Sequence, residues 1–293
     1  MLQQQLVNGF VLGATYALFA LGFTMMFGVL GVINLTYGVY FAIGAFAALW
    51  AAKVVGMSIW LALPFGAVAA GCIAVVIDTL LLTRLRRAKA PELSSLMVTI
   101  GATLFLYTGL SVVYGTEIRR FPLDFAPSAA FEIVGVRIFA TQALIVVAAL
   151  LMAAGLIWIV RSTKVGLAVR AVAENPDVAA LMGVNGAFIT HLVSFMSGAL
   201  GGTAGVLIGL NFNAIQPFMG ENMMLRGFAV IIIGGLGDLR GALIAGLLLG
   251  IIEVLTAGYF ASAAKDLVAF ALLVITLWLR PVGLFGRTAA KRA

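Results

Sequence analysis

Charged residues are scarce in this sequence. Asp, Glu, Lys and Arg make up 10% of its 293 residues, whereas apolar side chains make up 63%. A soluble globular domain is about a quarter charged, and a single core formed by a chain of this length could not bury so much apolar surface. We therefore exclude a water-soluble fold and predict an integral membrane protein, because a bilayer also solvates an apolar outer surface.

Cysteine and histidine, the residues that most often bind metal ions or supply a reactive thiol or base, occur only once each. The single cysteine, Cys72, excludes an intrachain disulfide and a thiolate metal cluster, and we expect it to be a small packing residue. The single histidine, His191, excludes an HExxH zinc site, and we expect it to be a hydrogen-bonded helix residue. A Gly-Lys-Ser/Thr phosphate-binding loop and a nucleophile–base constellation are not visible either. We predict no enzyme, no metal and no cofactor in this chain.

Several stretches without charge are long enough to cross a bilayer. Residues 1–52 contain no charged residue and no histidine. Similar runs cover 54–77, 93–116, 138–160 and, with only His191, 178–220. Each exceeds the roughly 20 residues that a helix needs to cross about 30 Å of hydrocarbon, and none alternates as an outer-membrane strand does. The fold class predicted is all-α, a polytopic helical membrane protein.

The basic residues indicate which side of the membrane each loop occupies. They concentrate in three segments: Arg84, Arg86, Arg87 and Lys89; Arg161, Lys164 and Arg170; and Arg280, Arg287, Lys291 and Arg292. The positive-inside rule places these segments in the cytoplasm, so the formal net charge of +7 reports topology rather than nucleic-acid binding. The segment 116–137 has balanced charge and two prolines, which predicts an external loop.

The apolar segments predict about 8–9 spans in one transmembrane domain, 1–293. They are 6–30, 38–52, 59–83, 93–115, 138–160, 187–211, 223–238, 241–259 and 266–280. The segments near 230 and 270 are short for a full crossing at about 1.5 Å per residue, which favours broken or partly inserted helices there. The first two segments carry no charge to orient them, so the side occupied by Met1 stays open.

Glycine clusters interrupt the chain at two similar places, Gly28–Gly31 and Gly235–Gly237. Paired interruptions of this kind indicate broken helices and a pseudo-symmetric repeat around a substrate path. Small residues also allow close helix packing without any repeat. Both interpretations remain open from the sequence.

The segment 161–186 is the longest polar interruption on the cytoplasmic side. Asn175 before Pro176 suits an N-cap with proline at the first helical position, and Gly183 suits a left-handed stop, so we predict a helix over about 176–182. Its apolar residues Val178, Leu181 and Met182 form one stripe. Because two turns of helix are unstable alone in water, the stripe packs on this protein or on a docked partner.

Two carboxylates, Asp78 and Glu253, fall within or near the apolar belt, where charge is expensive and is paired or faces water. Each is either a polar lining for a path or a link between helices. Lys265 and Asp266 are expected at the external interface, where lysine can extend its ammonium group toward water.

Five segments, in order, resemble the permease subunits of bacterial ABC importers for branched-chain amino acids, of the LivH type. They are GVLGVINLTYG (Gly28–Gly38), GLAVRAVAENPDVAALMGVN (Gly166–Asn185), GGLGDLRGALIAGLLLGIIE (Gly234–Glu253), AAKD (Ala263–Asp266) and LRPVGLFG (Leu279–Gly286). The similarity extends over nearly the whole chain. Two positions depart from the family pattern: Tyr37, where histidine is common, and Asp78-Thr79, where an acidic-basic pair is common.

The resemblance implies the ABC importer permease fold and a multi-pass protein of the bacterial inner membrane. The implied partners are a related second, LivM-like permease, two ABC ATPase subunits that bind ATP and Mg, and a periplasmic substrate-binding protein. It also implies that the short cytoplasmic helix couples the chain to an ATPase, through Arg170, Glu174, Asn175, Asp177, Val178, Leu181, Met182 and Gly183. Candidate residues of the translocation path are Gly31, Asn34, Tyr37, Gly237 and Glu253.

Two other classes of function compete with this interpretation. One is a stand-alone secondary transporter or channel for small solutes, although the low charge inside the spans argues against ion coupling. The other is an ABC permease for urea, short amides or aromatic acids instead of branched-chain or other hydrophobic amino acids.

Overall fold

The computed structural model of the chain describes residues 1–31, 34–88, 90–122, 124–125, 127, 129–133, 135–261, 264–280 and 282–286. Of the basic residues used for topology, Lys89, Arg287, Lys291 and Arg292 lie outside this part of the chain. The helices are α1 (Leu2–Leu30), α2 (Tyr37–Val54), α3 (Ile59–Ile77), α4 (Thr83–Arg87), α5 (Glu92–Tyr114), α6 (Ala140–Ser162), α7 (Lys164–Glu174), α8 (Pro176–Leu181), α9 (Gly186–Phe212), α10 (Met219–Gly234), α11 (Leu239–Tyr259) and α12 (Ala264–Leu279). A π-helical segment, Asp78–Leu82, joins α3 to α4.

Seven helices are long and apolar enough to cross a membrane, counted over the described residues. They are α1, α2, α3 with its continuation to Arg86, α5, α6, α9 and α11. Helices α10 and α12 have only 16 residues each, which is about 24 Å of helix at about 1.5 Å per residue. The prediction that the segments near 230 and 270 are short is confirmed, and the polytopic helical fold is as expected.

The structure places the N-terminus on the side that carries the segment 116–137. Gln4 donates to the carbonyl of Arg137 at 2.9 Å and accepts from its amide at 3.0 Å. Gln142 at the start of α6 donates to Asn8 at 3.0 Å. The N-terminus and the segment 116–137 therefore lie at the same end of the bundle, which is the external end in the topology predicted from the basic residues.

A short β-hairpin interrupts the otherwise helical structure. Strands β1 (Ala130–Ile133) and β2 (Val136–Phe139) pair antiparallel, with Ala130 opposite Phe139 and Glu132 opposite Arg137. Gly135 makes the turn with a φ of +75°, a conformation that glycine adopts without steric cost. Strands of four residues carry too little periodicity to stand out in the sequence, and the predicted external loop therefore contains regular structure that we did not expect.

Helix α1 lies at the centre of the bundle and packs against α11 and α9. Its contact with α11 depends on glycine, because a Cβ added at Gly13 would lie 2.9 Å from the Cα of Leu247. Helices α2 and α9 cross at Gly44 and Gly202, where the backbones touch and neither residue has room for a Cβ. Close backbone approach through small residues is how helices associate in a bilayer, so the glycine content of the spans has a packing role.

The outer faces of α3, α5 and α6 are apolar. Trp60, Phe105 and Leu151 are each more than half exposed, as expected of side chains that face lipid or another membrane subunit. Cys72 is also exposed on α3. The expectation that it packs in the interior is therefore wrong, because α3 presents only one side to the bundle.

Candidate functional site

The segment 161–186, predicted to be cytoplasmic, folds as two short helices, α7 and α8, that follow α6. The Thr163 side chain caps α7 by accepting from the amide of Gly166 at 3.0 Å. The Asn175 side chain caps α8 by accepting from the amides of Asp177 and Val178, both at 3.1 Å. Capping by these side chains replaces the hydrogen bonds that the first turn of a helix lacks. The prediction of a helix that begins at Pro176 is confirmed, and it ends at Leu181.

The apolar stripe of α8 points away from the protein. Val178 is 53% exposed, Leu181 86% and Met182 80%, whereas Ala179 on the opposite side is buried. Of the two partners left open by the sequence, the underside of this bundle is therefore not the one that covers the stripe. Three large apolar side chains in water at a cytoplasmic surface are typical of a protein interaction site.

The remaining predicted coupling residues lie next to the apolar stripe of α8. Gly183 follows α8 with a φ of +83°, and the amide of Val184 donates to the carbonyl of Ala179 at 3.0 Å, which completes the left-handed stop. Arg170 is exposed but donates to the Val160 carbonyl, so it also ties α7 to the end of α6. Asp177, at the positive end of α8, and Glu174, at the end of α7, are exposed.

A second feature lies inside the bundle, where a buried turn leads into α2. Asn34 is 1% exposed and Thr36 is fully buried. The Asn34 side chain accepts from the amide of Thr36 at 3.0 Å, and the hydroxyls of Thr36 and Tyr40 lie 2.8 Å apart. Irregular backbone is tolerated at membrane depth only where protein surrounds it, and here side chains supply the missing partners.

Tyr37 holds the first turn of α2 against α1. Its hydroxyl donates to the carbonyl of Phe19 at 2.9 Å, and its ring stacks on Phe23 with centroids 5.2 Å apart. The residue is fully buried. In this conformation Tyr37 belongs to the packed interior around the start of α2 rather than to an open channel.

The first turns of α2 and α10 meet inside the bundle. A Cβ on Gly220 would overlap the carbonyl oxygen of Gly38, a Cβ on Gly38 would lie 2.9 Å from the carbonyl oxygen of Gly220, and the Tyr107 hydroxyl is close to both positions. The two predicted glycine interruptions also come together, since a Cβ on Gly28 would lie 3.4 Å from the Cα of Gly237. Gly31 and Gly237 both have positive φ, +65° and +85°. The helix interruptions expected in the two halves of the chain are thus neighbours in space.

Glu253 belongs to a buried charged cluster inside the bundle. It is 4% exposed, accepts from the hydroxyl of Tyr16 at 2.8 Å and lies 3.2 Å from the guanidinium of Arg226. The same guanidinium donates to Asp266 at 2.9 Å and sits 5.8 Å from the centre of the Tyr16 ring. The cluster joins α1, α10, α11 and α12, so Glu253 is at least a link between helices.

Asp78 belongs to a similar cluster at the cytoplasmic end. Its side chain is fully buried, and its oxygens lie 2.6 Å from Arg86 and 2.9 Å from His191. Asp78 begins the π-helical segment, a feature frequent at functional sites. The expectation that His191 is a hydrogen-bonded helix residue is confirmed, and Asp78 links α3 and α4 to α9.

Arg226 is a residue whose importance the sequence analysis missed. It lies inside the apolar segment predicted over 223–238, and its basic side chain there was the available signal, because an intramembrane cation needs a partner. Neither Glu253 nor Asp266 is a sequence neighbour of Arg226. Their convergence depends on how α10, α11 and α12 pack.

Comparisons with known proteins agree with this architecture. A family described as "Branched-chain amino acid transport system / permease component" matches residues 5–277. The high-affinity branched-chain amino acid transport system permease protein LivH of Escherichia coli K12 is 33% identical over 99% of this chain and 97% of its own. The corresponding protein BraD of Pseudomonas aeruginosa is 32% identical over the same shares.

More distant comparisons extend this similarity. A probable branched-chain amino acid transport permease protein LivH of Methanocaldococcus jannaschii is 32% identical over 92% of this chain and 88% of its own. Among solved structures, PsaBC from Streptococcus pneumoniae, determined in complex with a Fab, superposes with a TM-score of 0.52. That superposition covers 97% of this chain and 93% of the other at 15% identity, which makes it a likeness of fold.

Proposed function

Since the chain belongs to the family of branched-chain amino acid transport system permease components, we propose that it forms one half of the membrane pathway of an importer and is driven through α8. As a family member it is a transport subunit of an ABC system and not an enzyme, which implies ATPase and binding-protein partners. ATP and its Mg ion are bound by those ATPases. The protein is a multi-pass membrane permease.

The finer assembly in this proposal has four further protein chains. A related second permease, LivM-like, completes the pathway and covers part of the apolar outer face. Two ATPase subunits dock at the cytoplasmic side, and a periplasmic substrate-binding protein delivers leucine, isoleucine or valine from outside. Membrane lipid surrounds the remaining apolar surface, and nucleic acid has no role.

The observation that carries the proposal is the exposed stripe of α8. Its residues Val178, Leu181 and Met182 are turned away from the bundle, on a helix whose beginning is fixed by Asn175. A helix held at both ends transmits a push as a rigid body, and an apolar stripe fills a groove in a partner. Around the stripe, Arg170, Glu174 and Asp177 supply charged contacts, and Gly183 sets where the helix stops.

The path itself is proposed to follow the interrupted helices. Gly31, Asn34 and Tyr37 lie around the start of α2, Gly237 belongs to the matching interruption after α10, and Glu253 lies in the buried charged cluster. The first turns of α2 and α10 meet inside the bundle, and non-helical backbone at membrane depth is tolerated where it lines a cavity. Transport then alternates access to this region as the ATPases close and open.

Co-assembly and substrate-dependent ATPase activity test this function. An affinity tag on this chain should isolate one complex with the second permease and two ATPase subunits from the same organism. In proteoliposomes, the leucine-loaded binding protein should stimulate ATP hydrolysis, whereas urea, short amides and aromatic acids should not. Stimulation by one of those solutes instead of a branched-chain amino acid would contradict the proposed substrate, and a chain that purifies without an ATPase would contradict the proposed assembly.

A further inference from the structure

A cavity of about 220 Å³ lies beside the charged cluster of Arg226 and Glu253. At about 30 Å³ for each water molecule it has room for roughly seven waters or for one small solute. Its lining includes Phe212 and Lys265, near the external ends of α9 and α12, and the buried Tyr16 of α1; Phe212 is exposed, so the cavity opens at that end. The cavity therefore faces the side from which an importer receives its substrate.

The walls of this cavity are mostly apolar. Leu12, Phe41, Ile208, Met219, Met223 and Val254 line it. Aliphatic and thioether side chains of this kind accept a branched hydrocarbon chain, and methionine adapts to its shape. Sites for small ligands combine such walls with a few placed polar groups.

The charges in the cavity have both signs. Arg226 and Lys265 supply positive charge and Glu253 supplies negative charge. The Nε of Arg226 is buried and has no hydrogen-bond partner among the described residues. The Glu253 oxygen Oε1 meets Arg226 at 3.2 Å, while Oε2 is engaged by Tyr16. The Nη2 of Arg226 also contacts Asp266 at 2.9 Å, so the donor that remains for a ligand is the unpartnered Nε, next to the carboxylate of Glu253.

We propose that this cavity is an external-facing binding site for the zwitterionic head of an aliphatic α-amino acid, with Arg226 receiving the carboxylate and Glu253 the ammonium group. The planar guanidinium matches a carboxylate geometrically, and the apolar walls receive the side chain. A solute with a single charge would add an uncompensated charge to the buried pair, which is costly, whereas a zwitterion adds none. The inference rests on the proposed function, because it specifies where a substrate released outside first meets this chain.

Equilibrium binding of radiolabelled leucine to the complete transporter tests the site. The transporter is purified in detergent and measured without binding protein and without nucleotide. Leucine should bind saturably, whereas 4-methyl-2-oxopentanoate, which lacks the ammonium group, and 3-methylbutylamine, which lacks the carboxylate, should compete poorly. Glu253→Gln and Arg226→Gln should each weaken leucine binding about tenfold or more, the effect of losing one charged hydrogen bond.

Two further variants test the cavity itself and provide a control. Met223→Trp fills the cavity without touching the charges and should also abolish leucine binding. Glu132→Gln is the matched control, because Glu132 pairs with Arg137 in an exposed ion pair on the same side of the protein, and its leucine affinity should equal that of the wild type. Gel filtration and co-purification of the second permease and the ATPase subunits confirm assembly of each variant.

Several results would overturn the proposed site. The first is that the wild-type transporter binds no leucine. The second is that the keto acid or the amine competes as well as leucine does. The third is that the assembled Met223→Trp and Glu253→Gln variants bind leucine with wild-type affinity. Failure of the proposed function is separate, because it would appear as wild-type transporter without ATP-driven leucine uptake. Normal uptake together with binding unaffected by these substitutions would refute the site alone.

Discussion

The imidazole Nδ1 of His191 lies 2.9 Å from a carboxylate oxygen of Asp78, across 113 residues of sequence. His191 is in the second turn of α9, which follows the cytoplasmic segment directly, and Asp78 starts the π-helical segment after α3. The contact therefore connects the element behind α8 to a second membrane helix. A displacement of α8 would reach α3 through this pair as well as through α9 itself.

The loss of stability on substitution of His191 should depend on whether the new side chain can still donate a hydrogen bond to Asp78. We expect His191→Leu to reduce the free energy of unfolding by about 1–2 kcal/mol, because the buried Asp78 then loses a hydrogen bond to a polar partner. His191→Gln keeps a donor within reach and should cost less. Thermal unfolding in detergent compares the two variants, and equal unfolding temperatures would show that the hydrogen bond does not matter.

Gly205 should not tolerate even alanine. A Cβ there would overlap the carbonyl of Phe41 in α2, and a backbone atom cannot move aside as a side chain can. Overpacking of this kind costs about 1–3 kcal/mol. Gly155→Ala is the control, because a Cβ at that position meets nothing within 4 Å and alanine favours helix. The yield of monodisperse protein and its unfolding temperature should fall for Gly205→Ala only.

The left-handed conformation of Gly183 should be required for coupling. Valine at a φ of +83° is strained by about 1–3 kcal/mol, although space around the Cβ position is free, so we expect the end of α8 to shift. Gly183→Asn should behave like wild type because asparagine tolerates this region. Leucine uptake and substrate-stimulated ATPase activity should drop in Gly183→Val, and unchanged values in both assays would contradict the coupling role.

Leu181 should matter for docking and not for folding. It is 86% exposed, so Leu181→Asp removes little buried surface and should leave the unfolding temperature of this chain unchanged. The charge would face an apolar groove in the ATPase, and we expect much less ATPase to co-purify. The control is Leu167→Asp, on the neighbouring α7 and 60% exposed. If the wild type, Leu181→Asp and Leu167→Asp all recover the same amount of ATPase, α8 is not the docking element.

Helix positions in this chain could be predicted largely from local signals. Charge-free runs located α5 and α6 to within about two residues, and Asn175, Pro176 and Gly183 located α8. The pairs that give the clusters their chemistry could not be predicted, because Asp78 and His191, or Glu253 and Arg226, meet only after distant helices pack. The buried start of α2 has the same origin. Its turn around Asn34 is stable only because α1 and other helices enclose it.

The most direct test of the central claim, that partner ATPases energise this permease, is uptake of leucine by proteoliposomes that contain the complete transporter. With binding protein outside and ATP at the nucleotide-binding side, leucine should accumulate, and replacement of ATP by a non-hydrolysable analogue should abolish uptake. The chain alone, given a proton or sodium gradient, should transport none. Leucine accumulation by the chain alone under such a gradient would contradict the account.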